Sequence, residues 1–92
     1  MGIEREKATA LDNIGGIYND QGNYSQSMEY HQQALAIRRE IGDRSGELTS
    51  VGNIGFIYHV QGRYREAIEF YQKSLVSIEI LTTLNNRQPT II

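Results

Sequence analysis

The 92-residue chain has no cysteine, one proline, no long apolar run and almost no excess of either charge, with nine Lys and Arg against eleven Asp and Glu. Each absence closes a class of function. Without cysteine there is no disulfide framework, no thiolate nucleophile and no sulfur-ligated metal, and a reducing compartment is permitted. A formal charge of −2 provides no basic field to attract a phosphate backbone, which argues against a general nucleic-acid binder. No segment approaches the roughly 18 consecutive apolar residues of a membrane span, and the opening "MGIEREKATA" is too acidic and too polar for a signal peptide. The same opening has Glu6 where a myristoylation signal requires Ser or Thr. A soluble, cytoplasmic protein is expected.

Chemistry is equally sparse. The two histidines, His31 and His59, fall in separate segments and lack the i, i+4 spacing of a helical metal site, so neither metal nor cofactor is expected. No nucleophile is paired with a base. The glycines of "GGIYNDQG" follow no strand and precede no lysine, so they form no phosphate loop. Nothing supports an enzyme.

What the chain does have is an internal copy. Shifted by 40 residues, "NIGGIYNDQGNY" (13–24) falls on "NIGFIYHVQGRY" (53–64). The register holds without a gap from Thr9 and Thr49 through Tyr18 and Tyr58, Gly22 and Gly62, and Tyr24 and Tyr64 to Leu35 and Leu75. Such self-similarity determines the architecture. Leu11, Ile14 and Tyr18 recur at three- and four-residue intervals, as do Val51, Ile54 and Tyr58, which predicts a helix with one buried face in each unit. Gly22 and Gly62 suit a helix end where positive φ is needed, and Gly42 suits a further stop, with Asp43 or Ser45 as the next cap. Tyr24, Met28, His31 and Leu35 continuing to Ile41, and Tyr64, Ile68, Tyr71, Leu75 and Ile78, predict the second helices. Period-two alternation is missing and Pro89 lies in the tail, so an all-α fold is expected. It comprises two helix-turn-helix units at about 3–42 and 43–84, followed by an extended or disordered tail over 85–92.

The pattern resembles the tetratricopeptide repeat family. Its slots are filled by Leu11, Ile14, Gly15, Tyr18, Ser27 and His31 in the first unit, and by Val51, Ile54, Gly55, Tyr58, Ala67 and Tyr71 in the second. The period exceeds the common 34 residues, and Arg39 and Glu79 stand where a proline usually follows the second helix. Gly15 opposite Ser27, and Gly55 opposite Ala67, provide the small residues that let two helices approach closely. The large tyrosines at helical spacing read as packing.

The resemblance implies a right-handed superhelical fragment, with a protein partner held as a peptide or helix in a concave groove lined by the first helix of each unit. Facing away from the apolar stripe are Thr9, Asp12, Asn13, Gly16, Asn19 and Asp20 in one unit, and Thr49, Gly52, Asn53, Phe56, His59 and Val60 in the other. Asn13 and Asn53 stand out, because an amide both donates and accepts and can pair with a peptide backbone of any sequence. The alternative is that each bonds its own helix. Phe56, in the slot of Gly16, is either an apolar anchor for a partner or a packing residue. With Asp12, Asp20 and no facing lysine, the groove reads as acidic or neutral, suited to a basic or amphipathic ligand.

A second reading is self-assembly. Two units are fewer than such stacks usually need, and no polar cap is evident, which suggests a fragment of a longer array or a unit completed by association. Ile78, Ile80, Leu81 and Leu84 are more apolar than the matching "IRREIGDR" region, so they read as a self-association face.

Overall fold

The computed structural model of the chain describes residues 2–86, with only the backbone for 81, 82, 85 and 86. Four helices follow one another: α1 Gly2–Asp20, α2 Tyr24–Glu40, α3 Arg44–Val60 and α4 Tyr64–Asn86. Each packs on the next, and α1 also touches α3. Among the described residues there is no strand, and the layout is that of two stacked helical hairpins. Helix α4 runs through Asn86, so positions 85 and 86, expected at the start of the extended tail, are helical, and the tail beyond 86, including Pro89, lies outside the described residues.

All three turns are built alike. Gly22, Gly42 and Gly62 have φ of 79°, 72° and 77°, a region where a side chain would be strained. In each turn the residue after the glycine donates its N–H to a carbonyl five residues back: Asn23 to Tyr18, Asp43 to Arg38 and Arg63 to Tyr58, each at 2.9 Å. The glycine N–H bonds the carbonyl three residues back. This double bond pattern satisfies the orphan carbonyls at a helix end and reverses the chain within three residues. Asp43 then caps α3 by accepting from the Gly46 N–H at 3.0 Å. It is the Asp43 alternative, not Ser45, that the fold uses.

The apolar core is Leu35, Val51, Ile54 and Ile78, with Met28, Tyr58, Phe70 and Tyr71 packed around it. It lies between α2, α3 and α4, and so favours the second unit. Ile54 is 1% exposed, whereas its counterpart Ile14 is 37% exposed. Leu11 and Tyr18 are only half-buried, and the buried residues of α1 are Ala8, Asp12 and Gly15. The expected Leu11, Ile14 and Tyr18 stripe is therefore corrected. Helix α3 is flanked on both sides, while α1 has a partner on one side and meets it through its small-residue edge.

Those small residues are indispensable for close approach. Ser27 Oγ donates to the Gly15 carbonyl at 2.7 Å, and a Cβ on Gly15 would stand 2.7 Å from His31 Nε2. In the second unit a Cβ on Gly55 would overlap the Tyr71 ring. Ring over glycine is thus the shared packing device of both hairpins.

Candidate functional site

A concave groove of about 530 Å³ opens along α1 and α3. Of the residues assigned to it from sequence, Thr9, Asp12, Asn13, Gly16, Asn19, Asp20, Thr49, Asn53 and Phe56 line it. Gly52, His59 and Val60 do not. The Gly52 carbonyl is taken up by the Tyr71 hydroxyl at 3.4 Å. His59 is exposed beside the groove, stacked on Phe56 with ring centroids 6.4 Å apart and edge-on to Tyr64 at 5.1 Å. Val60 is exposed at the end of α3.

Within the groove the polar residues differ in how they are occupied. Thr9 and Thr49 each turn a hydroxyl back to the carbonyl one turn earlier, Arg5 and Ser45 respectively. Asn13 and Asn53 form no side-chain hydrogen bond among the described residues, and neither is buried. The carbonyl oxygen of the Asn19 side chain is buried with no donor. Phe56 is 49% exposed, and Gly16 opposite it in register has open space around its α-carbon. The groove wall therefore offers free amides and an aromatic face.

Beneath it lies a buried polar cluster that sequence reasoning missed. Asp12, expected on the open groove face, is only 8% exposed and is held by residues of α2 and α3. Its Oδ1 lies 2.7 Å from His31 Nδ1, and its Oδ2 accepts from Ser50 Oγ at 2.9 Å and pairs with Arg38 at 3.1 Å. Burial alone would raise the Asp12 carboxyl. Hydrogen bonds from His31 and Ser50, with the nearby His31 and Arg38 charges, outweigh burial and hold it below its ordinary 3.8. An ionised carboxylate only accepts, so the proton between the two lies on His31 Nδ1.

Arg38 also reaches Asp43 and the Thr9 hydroxyl, each at 3.5 Å. It fits because Gly46 has no side chain; a Cβ there would overlap the guanidinium and the Asp43 carboxylate. Glu47, 1% exposed, is clamped by Arg39 at 2.9 Å and Arg44 at 3.4 Å. One consequence concerns ligand charge. Asp12 is compensated internally and Arg38 stands on the same wall, so of the two expected acidic groove residues only Asp20 is exposed.

The tetratricopeptide repeat family model matches residues 6–75, spanning most of α1, all of α2 and α3, and half of α4. The chain belongs to the tetratricopeptide repeat family. Tetratricopeptide repeats are non-catalytic scaffolds that mediate protein–protein contacts. This chain carries two of them, and the groove is the surface its first helices share. Among the described residues, no group of three or more His, Cys, Asp or Glu is placed to hold a metal, and no helix is long and apolar enough to cross a membrane.

The residues proposed for self-association separate. Ile78 belongs to the core at 6% exposure, so it presents no surface and is corrected on that point. Ile80 and Leu84 are exposed, and the Leu81 side chain lies outside the described residues. His31, in the family slot that Tyr71 fills in the second unit, lies over Gly15 and is also a hydrogen-bonding partner of Asp12. A signal for the buried cluster was present in the 40-residue register: Asp12, His31 and Arg38 replace Gly52, Tyr71 and Ile78 together.

Proposed function

We propose that the chain binds a segment of a partner protein in the groove between α1 and α3, with Asn13 and Asn53 pairing to its backbone. The observation that carries this reading is that both amides face the groove unbonded, while the threonines four residues before them are satisfied by their own helices. Two amides 40 residues apart on neighbouring helices can grip a backbone at two points, independently of its side chains. Phe56 and Ile17 provide an apolar contact for one side chain of the ligand.

The ligand that fits is a neutral or weakly basic extended segment with an apolar anchor. With Asp12 neutralised from below, Asp20 alone supplies attraction for a cation. Self-association through the end helices, the second reading raised by the sequence, uses other faces and is independent of this groove.

The test is a peptide selected from a displayed random library on the 92-residue chain, its affinity then measured on N13A/N53A. Each lost neutral hydrogen bond is worth about 0.5–1.5 kcal/mol, so the double variant is expected to bind about tenfold more weakly or worse. Equal affinity for both chains would remove the asparagines from the site.

A further inference from the structure

The 40-residue register allows the two outer faces of the molecule to be read against an interface it already contains, that between α2 and α3. There Leu35 and Met28 of α2 meet Ile54 of α3 in one cluster, and Arg39 of α2 clamps the buried Glu47 of α3. Shifted by 40, the α2 residues become Ile68, Leu75 and Glu79 of α4. The α3 residues become Ile14 and Lys7 of α1. All five are exposed. The outer face of α4 thus repeats the surface that receives a first helix, and the outer face of α1 repeats the surface that is received.

The charges decide what covers these faces. Arg39 against Glu47 becomes Glu79 against Lys7, a pair with both signs reversed and attraction preserved. Arg44, which supports Glu47 from one turn away, becomes Glu4 beside Lys7. Two unrelated surfaces would have no reason to invert together. Charge complementarity of this kind fixes both partner and register.

We infer that the chain stacks head to tail on a second copy of itself, the α1 face of one molecule on the α4 face of another, with Lys7 paired to Glu79 across the contact. Such a contact uses two different patches and leaves one of each free at the ends. It therefore propagates as an open stack and does not close as a dimer.

The test is sedimentation of the 92-residue chain over a wide concentration range, with K7E and E79R alone and mixed. Both positions are exposed, so the helical circular-dichroism spectrum is expected to be unchanged in each variant. The wild-type mass is expected to climb past that of a dimer without a plateau. Either reversal puts like charges together and is expected to weaken association about tenfold or more. In an equimolar mixture the two variants can alternate along the stack, so that every contact again joins opposite charges, and wild-type behaviour is expected to return. A monomer at every concentration overturns the proposal, and so does association that ignores the reversals or is not rescued by mixing.

Discussion

The two hairpins solve the same packing problem with opposite chemistry. At three positions in register, the first carries Asp12, His31 and Arg38, with the carboxylate bonded to the His31 ring, to the Arg38 guanidinium and to Ser50; the second carries Gly52, Tyr71 and Ile78, packed with a single long hydroxyl-to-carbonyl contact. Around both sets the frame is unchanged: a ring lies over a glycine, Gly15 or Gly55, and the turn glycine closes the unit. The fold therefore requires a filled wedge between the helices and tolerates either an ionic or an aromatic filling. The ionic version has stricter demands, since a buried charge that loses its partner costs far more than a buried ring that loses one contact.

Substitutions can break that comparison. The largest effect is expected for Arg38→Ile, which gives the first hairpin one residue of the second and leaves Asp12 without the guanidinium. A loss of about 3–5 kcal/mol is expected, read by urea unfolding. The triple exchange D12G/H31Y/R38I completes the apolar filling and is expected to recover most of that loss, despite the helix-propensity cost of a glycine. If the triple variant is no more stable than R38I, the two fillings are not alternatives for one frame.

Next in size is Gly55→Ala or Gly15→Ala. Each Cβ meets a ring, Tyr71 or His31, and overpacking is expected to cost about 1–3 kcal/mol by thermal unfolding. Similar costs at the two sites would confirm that the glycines serve one purpose under different chemistry.

Acid distinguishes the hairpins further. The folded-state pKa of Asp12 lies below its ordinary 3.8, so the folded state holds the carboxylate more tightly ionised than the unfolded chain does. The resulting stabilisation is complete above the ordinary value and is lost as pH falls through the folded value. In Asp12→Asn, less stable at neutral pH, the part of the acid-induced decline below about pH 4 that belongs to Asp12 is expected to vanish. Melting temperatures of both chains from neutral pH downward provide the check; parallel curves would place the acid sensitivity elsewhere.

The smallest effect is expected for Gly16→Ala. Nothing stands within reach of a Cβ there, and replacing a glycine inside a helix gains about 0.5–1 kcal/mol. Set beside Gly15→Ala, it separates backbone propensity from steric contact at adjacent positions.

The helical hairpins were legible in the sequence because a gap-free period of 40 and three turn glycines leave little freedom in where helices begin and end. Asp12 shows what was not legible. Helical spacing alone places it opposite Leu11 and Ile14, and only the docking of α1 through its small-residue edge turns it inward. That docking depends on which helices flank α1, a fact that local periodicity does not contain. Ile78 illustrates the same limit from the other side: the apolar run of α4 resembles an exposed face, yet one of its members fills the slot that Arg38 fills in the first hairpin. The buried cluster was signalled only by comparing the units with each other, where three polar replacements coincide.

The central functional reading is a groove that grips a partner's backbone through two amides, and it is tested most directly by nuclear magnetic resonance. With a library-selected peptide added to the isotope-labelled chain, the largest shift changes are expected on the groove side of α1 and α3, including the side-chain amides of Asn13 and Asn53. Changes confined to the outer surfaces of α2 and α4, with both asparagine amides unmoved, would contradict it.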